Sequence, residues 1–89
     1  MKSNKNIFNE LGFSAEEASS LKIRTELMIA VKKHISKNNL TQKQAAELMG
    51  VDQPRINKLL AGHVELFTID KLVTMLERAG IHVSLKIAA

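Results

Sequence analysis

The segment 41–62, TQKQAAELMGVDQPRINKLLAG, constrains the fold of this chain more than any other part of it. Thr41 is followed three residues later by Gln44, and this capping-box pattern predicts the start of a helix. Gly50 provides a residue that adopts the left-handed conformation at which such a helix ends. Asp52 is then placed to cap a second helix. We therefore predict two short helices joined by a tight turn.

Apolar residues within this segment recur at helical spacing. They predict a buried face on each helix, formed by Ala45, Leu48 and Met49 on the first and by Ile56, Leu59 and Leu60 on the second. Ala46 is small enough to lie where a crossing helix approaches closely. The pattern predicts that the two helices pack against each other and against a common core.

The remaining side chains of the second helix point away from that core. They are polar or conformationally restricted: Gln53, Pro54, Arg55, Asn57 and Lys58. Arginine can bind guanine, and glutamine or asparagine can bind adenine, each through two hydrogen bonds in the major groove. The alternative is an ordinary solvated helix surface. Together with the glycine turn and the two caps, the pattern favours a helix-turn-helix that binds DNA sequence-specifically.

The stretch LTQKQAAELMGVDQPRINKLLAG resembles the DNA-binding core of the lambda-repressor-like (XRE, Cro/C1-type) regulators. The resemblance implies that Gln42 anchors the DNA backbone and that Gln53, Pro54, Arg55 and Lys58 take base-facing positions. With their neighbours on the same helices, the candidate DNA-binding residues are Thr41, Gln42, Lys43, Gln53, Pro54, Arg55, Asn57 and Lys58.

The flanking stretches NIFNELGFSAEEASSLKIRTELM and LFTIDKLVTMLERAGIHVSLKI resemble the small HigA-type antitoxins of toxin–antitoxin pairs. That resemblance implies a repressor of its own type II operon that neutralises a small toxin. The absence of cysteine favours the reducing cytoplasm as its setting. Related stand-alone XRE-type regulators share the layout, so they remain an alternative. A second alternative is a protein-interaction module that keeps the fold without contacting DNA.

An apolar cluster lies in the N-terminal segment, residues 1–13. Its members are Ile7, Phe8, Leu11 and Phe13. One interpretation is that they fold back onto the core of the domain. The other is that they bind a partner protein, which the resemblance implies to be a toxin.

Capping patterns also predict the other helices of the domain, residues 14–80. Ser14 with Glu17 starts a helix of roughly 25 residues with a break near Lys22, and Thr68 starts one that ends at Gly80. The fold class is therefore all-α, a compact bundle of four to five helices with a central helix-turn-helix.

The C-terminal segment, residues 81–89, has a different pattern. Its apolar side chains alternate strictly with polar ones, at Ile81, Val83, Leu85 and Ile87. This alternation predicts one half-buried β-strand. Since the rest of the chain offers no second strand, we expect these four residues to pair with a second copy in a homodimer. Such a dimer would bind a palindromic operator.

Composition excludes several other functions. The net charge of +4 and pI of about 9.6 favour a polyanionic partner only weakly. The chain has no cysteine and no apolar run of membrane-spanning length. Its histidines, His34, His63 and His82, lack metal-ligand spacing. We expect no metal, no cofactor, no membrane association and no enzymatic activity.

Overall fold

The computed structural model describes residues 7–89, which form five α-helices and one 3₁₀ turn. The predicted all-α bundle of four to five helices is confirmed. The elements are α1 (Ile7–Glu10), α2 (Ala15–Lys37), α3 (Gln42–Met49), α4 (Gln53–Leu60), the 3₁₀ turn (Val64–Leu66) and α5 (Ile69–Arg78). The long helix α2 packs against α5, and α3 packs against both α4 and α5.

The predicted caps start the helices. Ser14 and Thr41 each form a complete capping box, with Glu17 and Gln44 respectively. Thr68 accepts the backbone N–H of Lys71 at the start of α5. These side chains satisfy N–H groups that have no partner inside the helix.

Helix α2 continues without interruption from Ala15 to Lys37, so the predicted break near Lys22 is wrong. The Nζ atom of Lys22 lies 2.7 Å from a carboxylate oxygen of Glu26, one turn later. Such pairs stabilise an exposed helix face. The segment contains neither glycine nor proline, and nothing in its backbone chemistry forces a break.

The core lies where α2, α3, α4 and α5 meet. Its buried residues include Met28, Val31, Ile35, Ala45, Ala46, Met49, Ile56, Leu59, Phe67, Leu72, Met75 and Leu76. Leu48, which we predicted on the buried face of α3, is instead 38% exposed. Ala46 is buried on this helix instead, at 5% exposed.

The C-terminal tail, residues 81–89, forms no β-strand in the described chain, so that prediction is wrong. A strand needs a neighbouring backbone that completes its hydrogen-bond ladder. Within residues 7–89 the tail has no such neighbour. The backbone N–H of Val83 donates instead to the carboxylate of Glu77, at 2.9 Å.

This contact predicts a pH-dependent attachment of the tail. The N–H of Val83, and after it the nearby His82, lower the pKa of Glu77 from its ordinary 4.5. Since the pKa is depressed in the folded state, the attachment is complete above pH 4.5 and is lost as the pH falls through the lowered value. We expect the amide signal of Val83 in NMR spectra to titrate in this acidic range.

A Glu77→Gln variant is the control, since its amide keeps an acceptor oxygen but has no charge to lose. The Val83 signal should then be independent of pH over the same range. An unchanged titration in this variant would show that another group holds the tail.

Of the helices in residues 7–89, none combines the length and the apolar character required to cross a membrane.

Candidate functional site

The turn between α3 and α4 has the geometry that its sequence predicts. Gly50 adopts φ 74° and ψ 33°, the left-handed conformation. The N–H groups of Gly50 and Val51 both donate to the carbonyl of Ala46, at 2.9 and 3.0 Å. These bonds close the end of α3, and Val51 packs against the core. The turn thereby fixes the direction in which α4 leaves.

A side chain from α5 covers this turn. A Cβ atom built on Gly50 would lie 2.8 Å from both Cδ and Nε of Arg78. The cationic side chain of Arg78 thus lies beside the C-terminal end of α3, where the helix dipole is negative. The sequence does not indicate this contact, because Arg78 and Gly50 lie far apart along the chain.

Helix α4 separates buried from exposed side chains sharply. Ile56 and Leu59 are completely buried. The five candidate DNA-binding residues of this helix are all exposed: Gln53, Pro54, Arg55, Asn57 and Lys58. The carboxylate of Asp52 accepts the backbone N–H of Arg55 at 2.8 Å and so caps the helix at its exposed end. The exposed face therefore presents donors and acceptors suited to base edges.

Among the exposed residues of α4, Arg55 has a side chain that makes both a hydrogen bond and a ring contact with the protein. Its Nη1 donates to the carbonyl of Leu66 at 3.2 Å. Its Cζ lies 5.7 Å from the centre of the Phe67 ring, within the range of a cation–π contact. Leu66, at the end of the 3₁₀ turn, and Phe67, directly after it, therefore support this side chain, a role that the sequence did not indicate.

The remaining DNA-binding candidates lie in the first turn of α3. Thr41, Gln42 and Lys43 are exposed. The hydroxyl oxygen of Thr41 accepts the N–H of Gln44 at 3.0 Å, which leaves the hydroxyl hydrogen as a donor to an external group. Since α3 packs directly on α4, these candidates belong to one structural unit with the exposed face of α4.

The N-terminal candidates lie on and next to α1. The rings of Phe8 and Phe13 contact each other edge to face, with their centres 6.0 Å apart. Ile7 and Leu11 are 63% and 67% exposed. The predicted partner-binding segment thus combines a small aromatic contact with two accessible aliphatic side chains. Residues 1–6 of that segment lie outside the described residues.

The four dimerisation candidates divide into two pairs. Ile81 and Val83 are partly buried against the core of their own chain. Leu85 and Ile87 are each 79% exposed. The second pair is therefore more accessible to another molecule than the first.

Two histidines in the C-terminal half lie close to glutamates that are near them in the sequence. The Nδ1 atom of His63 lies 3.3 Å from Oε2 of Glu65, and Nδ1 of His82 lies 3.4 Å from Oε2 of Glu77. Hydrogen bonding to a backbone N–H and the contact with His63 lower the pKa of Glu65. Over residues 7–89, no group of three or more histidine, aspartate or glutamate side chains is arranged to hold a metal ion.

Comparison with known proteins adds one finding to this geometry. A family model described as a helix-turn-helix domain matches residues 7–88, which is nearly the whole chain. No curated protein matches the sequence. The predicted helix-turn-helix is confirmed, and the match extends from α1 through the C-terminal tail.

Proposed function

We propose a function from one premise: the chain belongs to the helix-turn-helix domain family. The proposed function is that of a transcriptional repressor that binds double-stranded DNA sequence-specifically through α4. The observation that supports it most is that α4 has one buried face and one exposed face. Ile56 and Leu59 lie on the buried face. Gln53, Arg55 and Lys58 lie on the exposed face. This face has the chemistry required for direct contact with base edges in the major groove.

The repressor is proposed to be the antitoxin of a type II toxin–antitoxin operon, acting in the cytoplasm without catalysis. The resemblance of both flanking segments to HigA-type antitoxins supports this role. Exposed Ile7 and Leu11 provide apolar side chains to which a small toxin can bind. In this proposal the antitoxin covers the toxin, and the complex represses its own operon.

The active form is proposed to be a homodimer on a palindromic operator. One small helix-turn-helix contacts few base pairs, so its specificity is limited. Exposed Leu85 and Ile87 supply the contact between the two copies. The half-sites are then expected about 34 Å apart, or a multiple of that spacing.

Binding to the DNA upstream of the gene tests the proposed function. Arg55→Ala should weaken binding by about 1–3 kcal/mol and relax the base preference at one position in each half-site. Fluorescence anisotropy with the native site and with single-base variants measures both effects. Lys33→Ala on α2 is the matched control, because it removes one exposed positive charge outside the proposed interface.

Two other results would change this interpretation. If Arg55→Ala weakens binding equally on all sequences, Arg55 contacts a phosphate and not a base. If the wild-type protein binds none of the DNA, the alternative of a protein-interaction module is favoured. The even charge of segment 41–65 supports that alternative, since its positive and negative side chains balance: Lys43, Arg55 and Lys58 against Glu47, Asp52 and Glu65.

A stand-alone XRE-type regulator is the other alternative. If the protein has this role, we expect no toxin gene beside its own gene. Co-expression with the product of an adjacent small reading frame distinguishes the two roles. An antitoxin should form a stable complex with that product and relieve its toxicity, whereas a stand-alone regulator should do neither.

A further inference from the structure

The side chain of Arg55 is held on the protein surface while it remains exposed. One N–H of its guanidinium donates to the Leu66 carbonyl at 3.2 Å, and its Cζ lies 5.7 Å from the ring centre of Phe67. A free arginine samples many rotamers, and ordering it on binding costs conformational entropy. Here two contacts already restrict the side chain before any ligand arrives.

Both contacting groups are electrically neutral. The guanidinium of Arg55 takes part in none of the ion pairs found in the part of the chain described, residues 7–89. Its full positive charge is therefore available to an external acceptor. Arginine also has further N–H donors beyond the one that Leu66 accepts, enough for a two-bond contact with a base.

The support for Arg55 is itself fixed in the core. Phe67 is only 1% exposed. From α2, Nη1 of Arg24 donates to the Phe67 carbonyl at 3.4 Å, and Nη2 of Arg24 donates to the hydroxyl of Ser20 at 3.0 Å. The position of Phe67 is thus determined by its buried ring and by a second arginine. A displacement of this residue would move the Arg55 side chain with it.

We propose that Phe67 and the carbonyl of Leu66 position Arg55 for base discrimination, and that Arg55 contacts DNA without leaving them. This inference rests on the proposed DNA-binding function and adds a second element to it. Base preference at one operator position then depends on a buried aromatic residue outside the helix-turn-helix segment. Phe67 acts as a positioning residue, since it does not itself touch the DNA.

The first test measures base discrimination. For the wild type we expect about tenfold weaker binding when the base opposite Arg55 is changed, since a good two-bond contact has roughly this effect. Phe67→Leu removes the ring and keeps an apolar side chain in the core. We expect its discrimination at that base to fall to about twofold, with unchanged affinity for non-specific DNA, because the charge of Arg55 remains.

Leu72→Val is the matched control. It removes volume from the same core at a buried residue of α5, whereas the hydrogen bond and the cation–π contact of Arg55 go to Leu66 and Phe67. Its discrimination should equal that of the wild type. If both variants lose base discrimination equally, the cause is general destabilisation and the proposal is overturned. Unchanged discrimination or tighter operator binding in Phe67→Leu would also overturn it, because Arg55 would then act free of its support.

The second test measures the free wild-type protein and needs no variant. ¹⁵N relaxation of the Arg55 Nε–H in the free protein should report a restricted side chain, comparable with that of Arg24, which is held by two hydrogen bonds. A fully averaged Arg55 would overturn the positioning role even if Phe67→Leu failed to fold. A restricted Arg55 in a wild-type protein with no sequence preference would instead refute the proposed function, and the base-discrimination role with it.

Discussion

Replacing Gly50 by valine is expected to lower the free energy of unfolding by about 2–3 kcal/mol, because a β-branched residue is strained in the left-handed conformation. Gly50 has φ 74° at the point where α3 ends. The strain acts on the turn that sets the direction of α4. We therefore expect the variant to bind the operator more weakly as well as to be less stable. Urea denaturation monitored by circular dichroism measures the change.

Gly50→Asn is the matched variant, since asparagine tolerates the left-handed conformation much better than valine does. In both variants the new Cβ displaces the side chain of Arg78, which lies 2.8 Å from that position. The difference between the two variants therefore isolates the backbone strain. Equal destabilisation by valine and asparagine would contradict this account and assign the cost to Arg78 alone.

Replacing both Leu85 and Ile87 by lysine is expected to produce a monomer and to weaken operator binding by about 10²–10⁴-fold, the usual gain from linking two binding units. Both side chains are 79% exposed in the single chain, so their loss should leave the stability of the monomer unchanged. Sedimentation equilibrium measures the association, and anisotropy on a palindromic site measures the affinity.

Ser84→Lys is the control for added charge. Ser84 is exposed in the same tail, between the half-buried Val83 and the exposed Leu85. We expect this variant to remain a dimer with wild-type affinity for the operator. A double variant that still sediments as a tight dimer would show that the copies associate through another surface.

The N-terminal caps of α2, α3, α4 and α5 follow from local chemistry, and the sequence predicts them. Ser14, Thr41, Asp52 and Thr68 each accept a backbone N–H at the start of a helix, as their positions predict. Gly50 ends α3 in the left-handed conformation for a reason contained in the residue itself. Each of these features depends on residues within a few positions of one another. The spacing of these residues along the chain is therefore enough to predict where the helices begin and where α3 ends.

The tail illustrates where such local patterns fail. Strict alternation predicted a strand paired with a second copy, yet a strand depends on a neighbouring backbone, and within residues 7–89 the tail has none. The sequence of the tail also does not indicate which of its four apolar residues are partly buried and which are exposed. Ile81 and Val83 pack on the core of their own chain, whereas Leu85 remains accessible.

The sequence by itself determined the glycine-linked helix pair and the polar face of α4, because helical periodicity assigns a face to every residue. Only the tertiary structure decided that Arg55 rests on Leu66 and Phe67, and that Arg78 covers Gly50. These contacts join residues on different elements of the fold. Their distances are set by how the helices pack, and no spacing along the chain encodes them.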